Sequence, residues 1–173
     1  DRAAAQKGFG KAVKPGRELV MDLAYSCLDK RTVGAGDGQR SEDGSLPPAI
    51  VESAEKALSL VDTTFRFYAE QMTVRQKVRA TLVRADASIM MRNFPRAIEE
   101  IREARKVAGD DPARHLAQLK MGEVHLATDN IQEALSVFGE LAKLNREDVS
   151  PVALFWLGTT QLQMDKREMA VKA

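Results

Sequence analysis

Residues 92–108 read RNFPRAIEEIREARKVA, and residues 129–145 read DNIQEALSVFGELAKLN. The second stretch starts 37 residues after the first and writes nearly the same amphipathic helix again. Apolar residues recur at three- and four-residue spacing almost throughout the chain, which is the period of a helix face and not of a strand. The spacing therefore predicts an all-α fold built from a repeated helical unit.

Turn and capping residues divide the chain. Asp111-Pro112 and Ser150-Pro151 each place a capping side chain before a proline at the first helical position. Thr73 with Gln76, and Asn130 with Glu133, have the spacing of a capping box. Gly109 closes the helix before it. These signals predict helices near 16–30, 49–71, 74–91, 95–108, 112–127, 131–144, 151–164 and from 166 onward. The segment TVGAGDGQRSEDGSLPP before the second helix is rich in Gly, Ser, Asp and Pro and is expected to be a flexible loop. The organisation that follows is a basic arm and first helix over 1–30, a loop over 31–48 and a long helix of an atypical repeat over 49–72. Repeat units follow over 73–109, 110–148 and 149–173, the last incomplete. The chain begins at Asp1 and stops at MAVKA inside an apparent helix, so it is expected to be a piece of something longer.

Three alanines set the register. Ala97, Ala134 and Ala170 stand 37 and 36 residues apart, and twelve positions before each is a small residue: Ala85, Gly122 and Gly158. Large apolar residues follow four positions after the alanine, at Ile101 and Phe138, and Ala104 and Leu141 follow seven positions after it. Close packing explains the pattern: antiparallel helices approach tightly only where side chains are small, and a large neighbour fills the remaining space. No such pair buries its own apolar face, so pairs must stack.

This pattern resembles the tetratricopeptide repeat family, whose unit is about 34 residues long. Leu157-Gly158 and Met121-Gly122 match its Leu-Gly pair, the three alanines match its second-helix alanine, and Phe138 matches its phenylalanine. His125 and Ser88 stand where the family has an aromatic, Gln118 stands at a usually large position, and the units are two or three residues longer. The resemblance covers residues 74–173. It implies a right-handed α-solenoid whose first helices line a concave groove. Carried across, that groove is formed by Arg79, Leu82, Val83, Asp86, Ile89 and Met90 in the first unit. In the second it is Leu116, Leu119, Lys120, Glu123, Leu126 and Ala127. In the third it is Val152, Phe155, Trp156, Thr159, Leu162 and Gln163. Such a groove suits a helix or an extended peptide. The family's chaperone-binding members clamp a terminal carboxylate with Lys and Asn; Asp86, Glu123 and Thr159 at the Asn position argue against that clamp here. The first third looks like the large tetratricopeptide subunits of the intraflagellar transport A complex. The residues are Cys27, Leu28, Thr32, Val33, Gly34, Ala54, Glu55 and Lys56, and the resemblance implies a ciliary transport scaffold.

Composition narrows function. The chain is 44% hydrophobic and 29% charged with a net charge of +1, so no global field draws it to nucleic acid or anionic membrane. Only the first seventeen residues are lopsided, with Arg2, Lys7, Lys11, Lys14 and Arg17 against Asp1. A single cysteine, Cys27, excludes an internal disulfide and favours a reducing intracellular compartment, the cytoplasm above all. No apolar run spans a bilayer.

No catalytic constellation is apparent. His115 and His125 are about 15 Å apart along one helix, too far to share a metal. His125 reads as a packed histidine, Cys27 has no CxxC partner, and GAGDG lies between helices rather than after a strand. Met90, Met91, Met121 and Met164 read as core filling. Phe155 and Trp156 point about 100° apart, so only one faces a given neighbour. The expectation is a non-enzymatic protein–protein interaction scaffold without cofactor or metal, a subunit of a larger assembly binding through its groove and ends. A stand-alone peptide-binding adaptor and a helical-repeat RNA binder are the alternatives, the latter predicting strong salt dependence.

Overall fold

The computed structural model describes residues 22–24, 26–28 and 46–172, with side chains as far as residue 165. The basic arm and the loop as far as residue 45 lie outside the described residues, and with the loop go Thr32, Val33 and Gly34 of the ciliary resemblance. Among the described residues the chain is helical and has no strand. Residues 22–24 and 26–27 are helical, and Ala24, Cys27 and Leu28 pack against the first long helix. That helix, α1, is Pro48–Tyr68, and one tighter turn, Ala69–Gln71, ends it. There follow α2 (Val74–Met90), α3 (Phe94–Ala108), α4 (Arg114–Ala127), α5 (Ile131–Ala142) and α6 (Ser150–Lys172).

The helix ends show which signals hold. The Thr73–Gln76 capping box forms: Gln76 N donates to Thr73 Oγ1 at 3.3 Å, and Thr73 N donates to Gln76 Oε1 at 3.0 Å. Gly109 has φ +54° and closes α3. The box at Asn130 does not form; Asn130 Nδ2 donates instead to Thr128 Oγ1 at 3.0 Å. Asp111 caps a tighter turn rather than the helix itself. Its Oδ1 accepts from Ala113 N at 2.7 Å, and α4 proper begins at Arg114. Ser150 is already helical, and its hydroxyl bridges backward, donating to Leu141 O at 3.1 Å and accepting from Arg146 N at 2.9 Å. It ties α5 to α6 and leaves the first turn of α6 to the Val149 carbonyl, which accepts from Ala153 N.

Two turns repeat bond for bond. Asn93 N donates to Ser88 O at 2.8 Å and Arg92 N to Ile89 O at 2.9 Å; 37 residues on, Asn130 N donates to His125 O at 2.8 Å and Asp129 N to Leu126 O at 3.2 Å. Arg92 and Asp129 both have positive φ, at 54° and 68°. This is the Schellman closure, made twice without glycine. It does not occur a third time. The expected break near residue 165 is absent, and α6 runs unbroken to Lys172, carrying Ala170 on the same helix. The register places Lys166 where the first two turns have Asn93 and Asn130. Without an asparagine, glycine or proline there, nothing stops the helix.

Each helix packs against the next in sequence, and α4 also touches α2 and α6. Three apolar clusters result. Val61, Met72 and Val83 join α1 to α2; Val78, Ala85, Ala97, Ile101, Ala104 and Ala117 join α2, α3 and α4; Leu119, Ala134, Phe138, Leu141 and Ala153 join α4, α5 and α6. The buried hydroxyls of Thr64, Thr81 and Thr160 donate back to the carbonyl one turn earlier.

Phe138 is fully buried with its ring against Gly122. A methyl group on Gly122 would lie 2.5 Å from Phe138 Cε1 and 2.8 Å from Cζ. One on Gly158 would meet nothing within 4 Å. Gly122→Ala is therefore expected to destabilise the protein by about 1–3 kcal/mol, overpacking outweighing the gain in helix propensity. Gly158→Ala is expected to stabilise it by about 0.5–1 kcal/mol. Urea unfolding followed by Trp156 fluorescence checks both signs.

Candidate functional site

The three first helices of the expected units, α2, α4 and α6, are neighbours, so their facing rows form the natural place to seek a binding surface. At its centre Lys120 Nζ lies 2.6 Å from Asp86 Oδ1 on α2 and 2.7 Å from Glu123 Oε2 on its own helix. The Lys120 side chain is only 17% exposed. Burial alone would push its ammonium pKa down. The two carboxylates outweigh burial, and the pKa stands well above its ordinary value. Lys120 thus ties α2 to α4, and a partner's carboxylate would have to displace two internal ones.

The remaining residues divide by helix. On α2, Val83 is fully buried against α1 and Leu82 is buried in the next cluster, so neither presents itself to a partner. Arg79 is exposed, and Asp86, Ile89 and Met90 are half-buried. On α4, Leu119 is buried, Leu116 and Leu126 pack against the core, and Ala127 is exposed. On α6, Trp156 stacks on Phe138 with ring centroids 6.1 Å apart and planes at 14°, which makes it part of the core. Phe155, edge-on to Trp156, points to solvent with Val152, Leu162 and Gln163, while Thr159 is half-buried. Of the packing residues, Ala85, Ala97, Ile101, Ala104, Gly122, Ala134, Phe138 and Leu141 are buried, Gly158 is half-exposed, and the Ala170 side chain lies outside the described residues. Among the described residues, no cluster of His, Cys, Asp and Glu is placed to hold a metal ion. His125 is half-buried, and Cys27 packs beside α1.

A second polar cluster has no signal in the sequence. Asp148, in the turn before α6, takes both Arg146 Nε at 3.1 Å and Arg146 Nη2 at 3.0 Å. It also lies 3.1 Å from Arg75 in the first turn of α2, 73 residues away in the chain. The Arg146 hydrogen bonds hold the Asp148 carboxyl below its usual range. His115 of α4 sits beside this group with its Nδ1 buried and unpartnered. Burial first, then the positive charges of Arg114 and Arg146, lower its pKa, and Asp148 only partly offsets them. A histidine whose folded pKa is depressed binds its proton more readily when unfolded, so stability falls as pH drops below about 6.5. The Asp148 contribution is lost only at lower pH, as the carboxylate protonates. Between pH 7.5 and 5.5 the melting temperature is expected to fall by a few degrees at most, because water screens this half-exposed cluster. His115→Gln should flatten that slope. An equal slope in the variant would assign it to other groups.

No family model matches the chain, and no curated protein matches it.

Proposed function

We propose that the chain is a tetratricopeptide-like α-solenoid that acts as a non-enzymatic scaffold for protein–protein contacts, as a subunit of a larger assembly. The doubled Schellman turn, 37 residues apart, supports the repeat reading, together with the contacts that α4 makes with both α2 and α6. One observation carries the functional reading. The charges of the central row are spent on one another, whereas Leu154, Phe155 and Leu162 at the α6 end are more than half exposed. Large apolar side chains grouped on one face mark a protein contact. On this reading the α6 end does more of the binding than the middle of the groove, which favours an architectural subunit over a stand-alone adaptor.

Affinity capture from lysate with identification by mass spectrometry tests this. The tagged chain is run beside a groove variant carrying Ala127→Glu and Gln163→Glu, two exposed positions whose change leaves the core intact. A stoichiometric set of proteins retained by both forms is the expected result. Loss of a single partner in the variant would favour the adaptor. Capture abolished by ribonuclease or by modest salt would overturn both in favour of RNA binding.

A further inference from the structure

Two of the apolar clusters form blocks that share α4. Val78, Leu82, Ile101 and Ala104 hold α2 to α3, and Phe138, Leu141 and Ala153 hold α5 to α6. Helix α4 is fastened unequally to the two blocks. Toward α5 it is keyed, because the Phe138 ring sits against Gly122. Toward α2 and α3 it offers Ala117 and Val124, with Ala113 from the turn before it and Leu116 and Met121 half-buried at the edge. Small side chains interlock little and bury little area, so this seam resists sliding less than a ring in a notch does.

Two ionic ties cross the seam, and they differ in exposure. Lys120 Nζ lies 2.6 Å from Asp86 Oδ1, with side chains 17% and 23% exposed. Arg75 Nη2 lies 3.1 Å from Asp148 Oδ2, with side chains 54% and 26% exposed. Arg75 and Asp86 are both on α2, about 16 Å apart along its axis. Among the described residues, no apolar cluster holds side chains of both α2 and α6. The Arg75–Asp148 pair therefore joins the first turn of α2 to the turn before α6 by charge, past α4. Arg146 grips both oxygens of Asp148 from the same turn, which fixes where the carboxylate is presented. Salt screens exposed pairs far more than buried ones.

We propose that the seam between α2 and α4 is a joint with a fixed pivot, Asp86–Lys120–Glu123, and a releasable strap, Arg75–Asp148. Closed, the strap holds the turn before α6 against the start of α2. Released, the block of α4, α5 and α6 rotates about Lys120, and the start of α6 moves away from the start of α2. The block turns as one because the Phe138 ring keys its helices together, against Gly122 on one side and Trp156 on the other. Ionic strength is the trigger: it weakens the half-exposed strap and leaves the buried pivot in place. The facing rows of α2, α4 and α6 widen at that rim when the strap lets go, so the strap sets the width of the surface offered to a partner. The motion is internal to the chain and holds whether or not the scaffold reading does.

Pulsed electron paramagnetic resonance on the whole chain tests the joint. Spin labels on Glu55→Cys of α1 and Gln161→Cys of α6, two exposed positions, report the distance between the blocks in a Cys27→Ser background. One closed distance is expected at about 0.1 M salt. At about 1 M, where the Debye length falls from about 10 to about 3 Å, a second and longer distance appears. Arg75→Gln and Asp148→Asn each give the longer distance already at about 0.1 M. Arg75→Lys keeps the closed one, since the strap is a single N–O contact and not a fork. Arg96→Gln, which removes a pair inside α3, leaves the distance unchanged. Circular dichroism melts check that each variant stays folded; the salt dependence of the unsubstituted strap decides the matter if one does not. A distance that neither salt nor the two strap variants alter overturns the inference. So does an equal lengthening by salt in Arg75→Gln, which would place the salt-sensitive contact elsewhere.

Discussion

The approach of the Phe138 ring to the bare backbone of Gly122 sets how close α5 comes to α4, and much else follows from that distance. The ring is fully buried, and its far face carries Trp156 from α6, so one side chain holds three helices in register. Removing a ring of this kind costs about 3–5 kcal/mol, a large share of the stability of an ordinary domain. One unit earlier the solution is smaller and of the same kind. Ala85, Ala97 and Ala104 let α2 and α3 close together, and Ile101 fills the space that remains. Each cluster borrows a helix from the next, so no pair of helices stands by itself.

Charge is used to fasten what packing brings near. Asp86, Lys120 and Glu123 join α2 to α4, and Asp148 joins the turn before α6 to the start of α2 through Arg75. Arg84 reaches Asp62 at 2.6 Å and lies over the Phe65 ring, which fastens α1 to α2. These ties run between helices and use the charges at the centre of the α2–α4 row. Among the described residues the largest group of exposed apolar side chains, Val152, Leu154, Phe155 and Leu162, lies on α6, and for that reason the functional reading centres there.

The parts legible in the sequence are those governed by local rules. The alanine register at Ala97 and Ala134, the glycine at 109 and the Thr73 capping box each depend on residues within a turn or one repeat of one another, and each takes its expected form. That Phe155 and Trp156 point apart follows from helix geometry alone, but that Trp156 is the one packed on Phe138 does not. Non-local competition decides the rest. Ser150 gives its hydroxyl to Leu141 instead of to its own helix, and Asn130 gives its amide to Thr128. Val83 looks like a groove residue until α1 covers it. Lys120 looks like a free cation until Asp86 arrives from another helix. The third turn fails for a reason that is local but easily missed: the register there calls for an asparagine and finds Lys166.

Gly122 and Phe138 form one knob-and-hole contact that sets the packing of the α4–α5–α6 layer. A double-mutant cycle of Gly122→Ala and Phe138→Leu, read by urea unfolding, measures it most directly. Each single change should destabilise, the first by crowding the ring and the second by leaving a gap. In the double variant the added methyl occupies space that the smaller side chain vacates, so the cost should fall short of the sum by about 1 kcal/mol or more. Costs that add to within about 0.5 kcal/mol would mean that the two residues do not meet in this way, and the account built on their contact would fail.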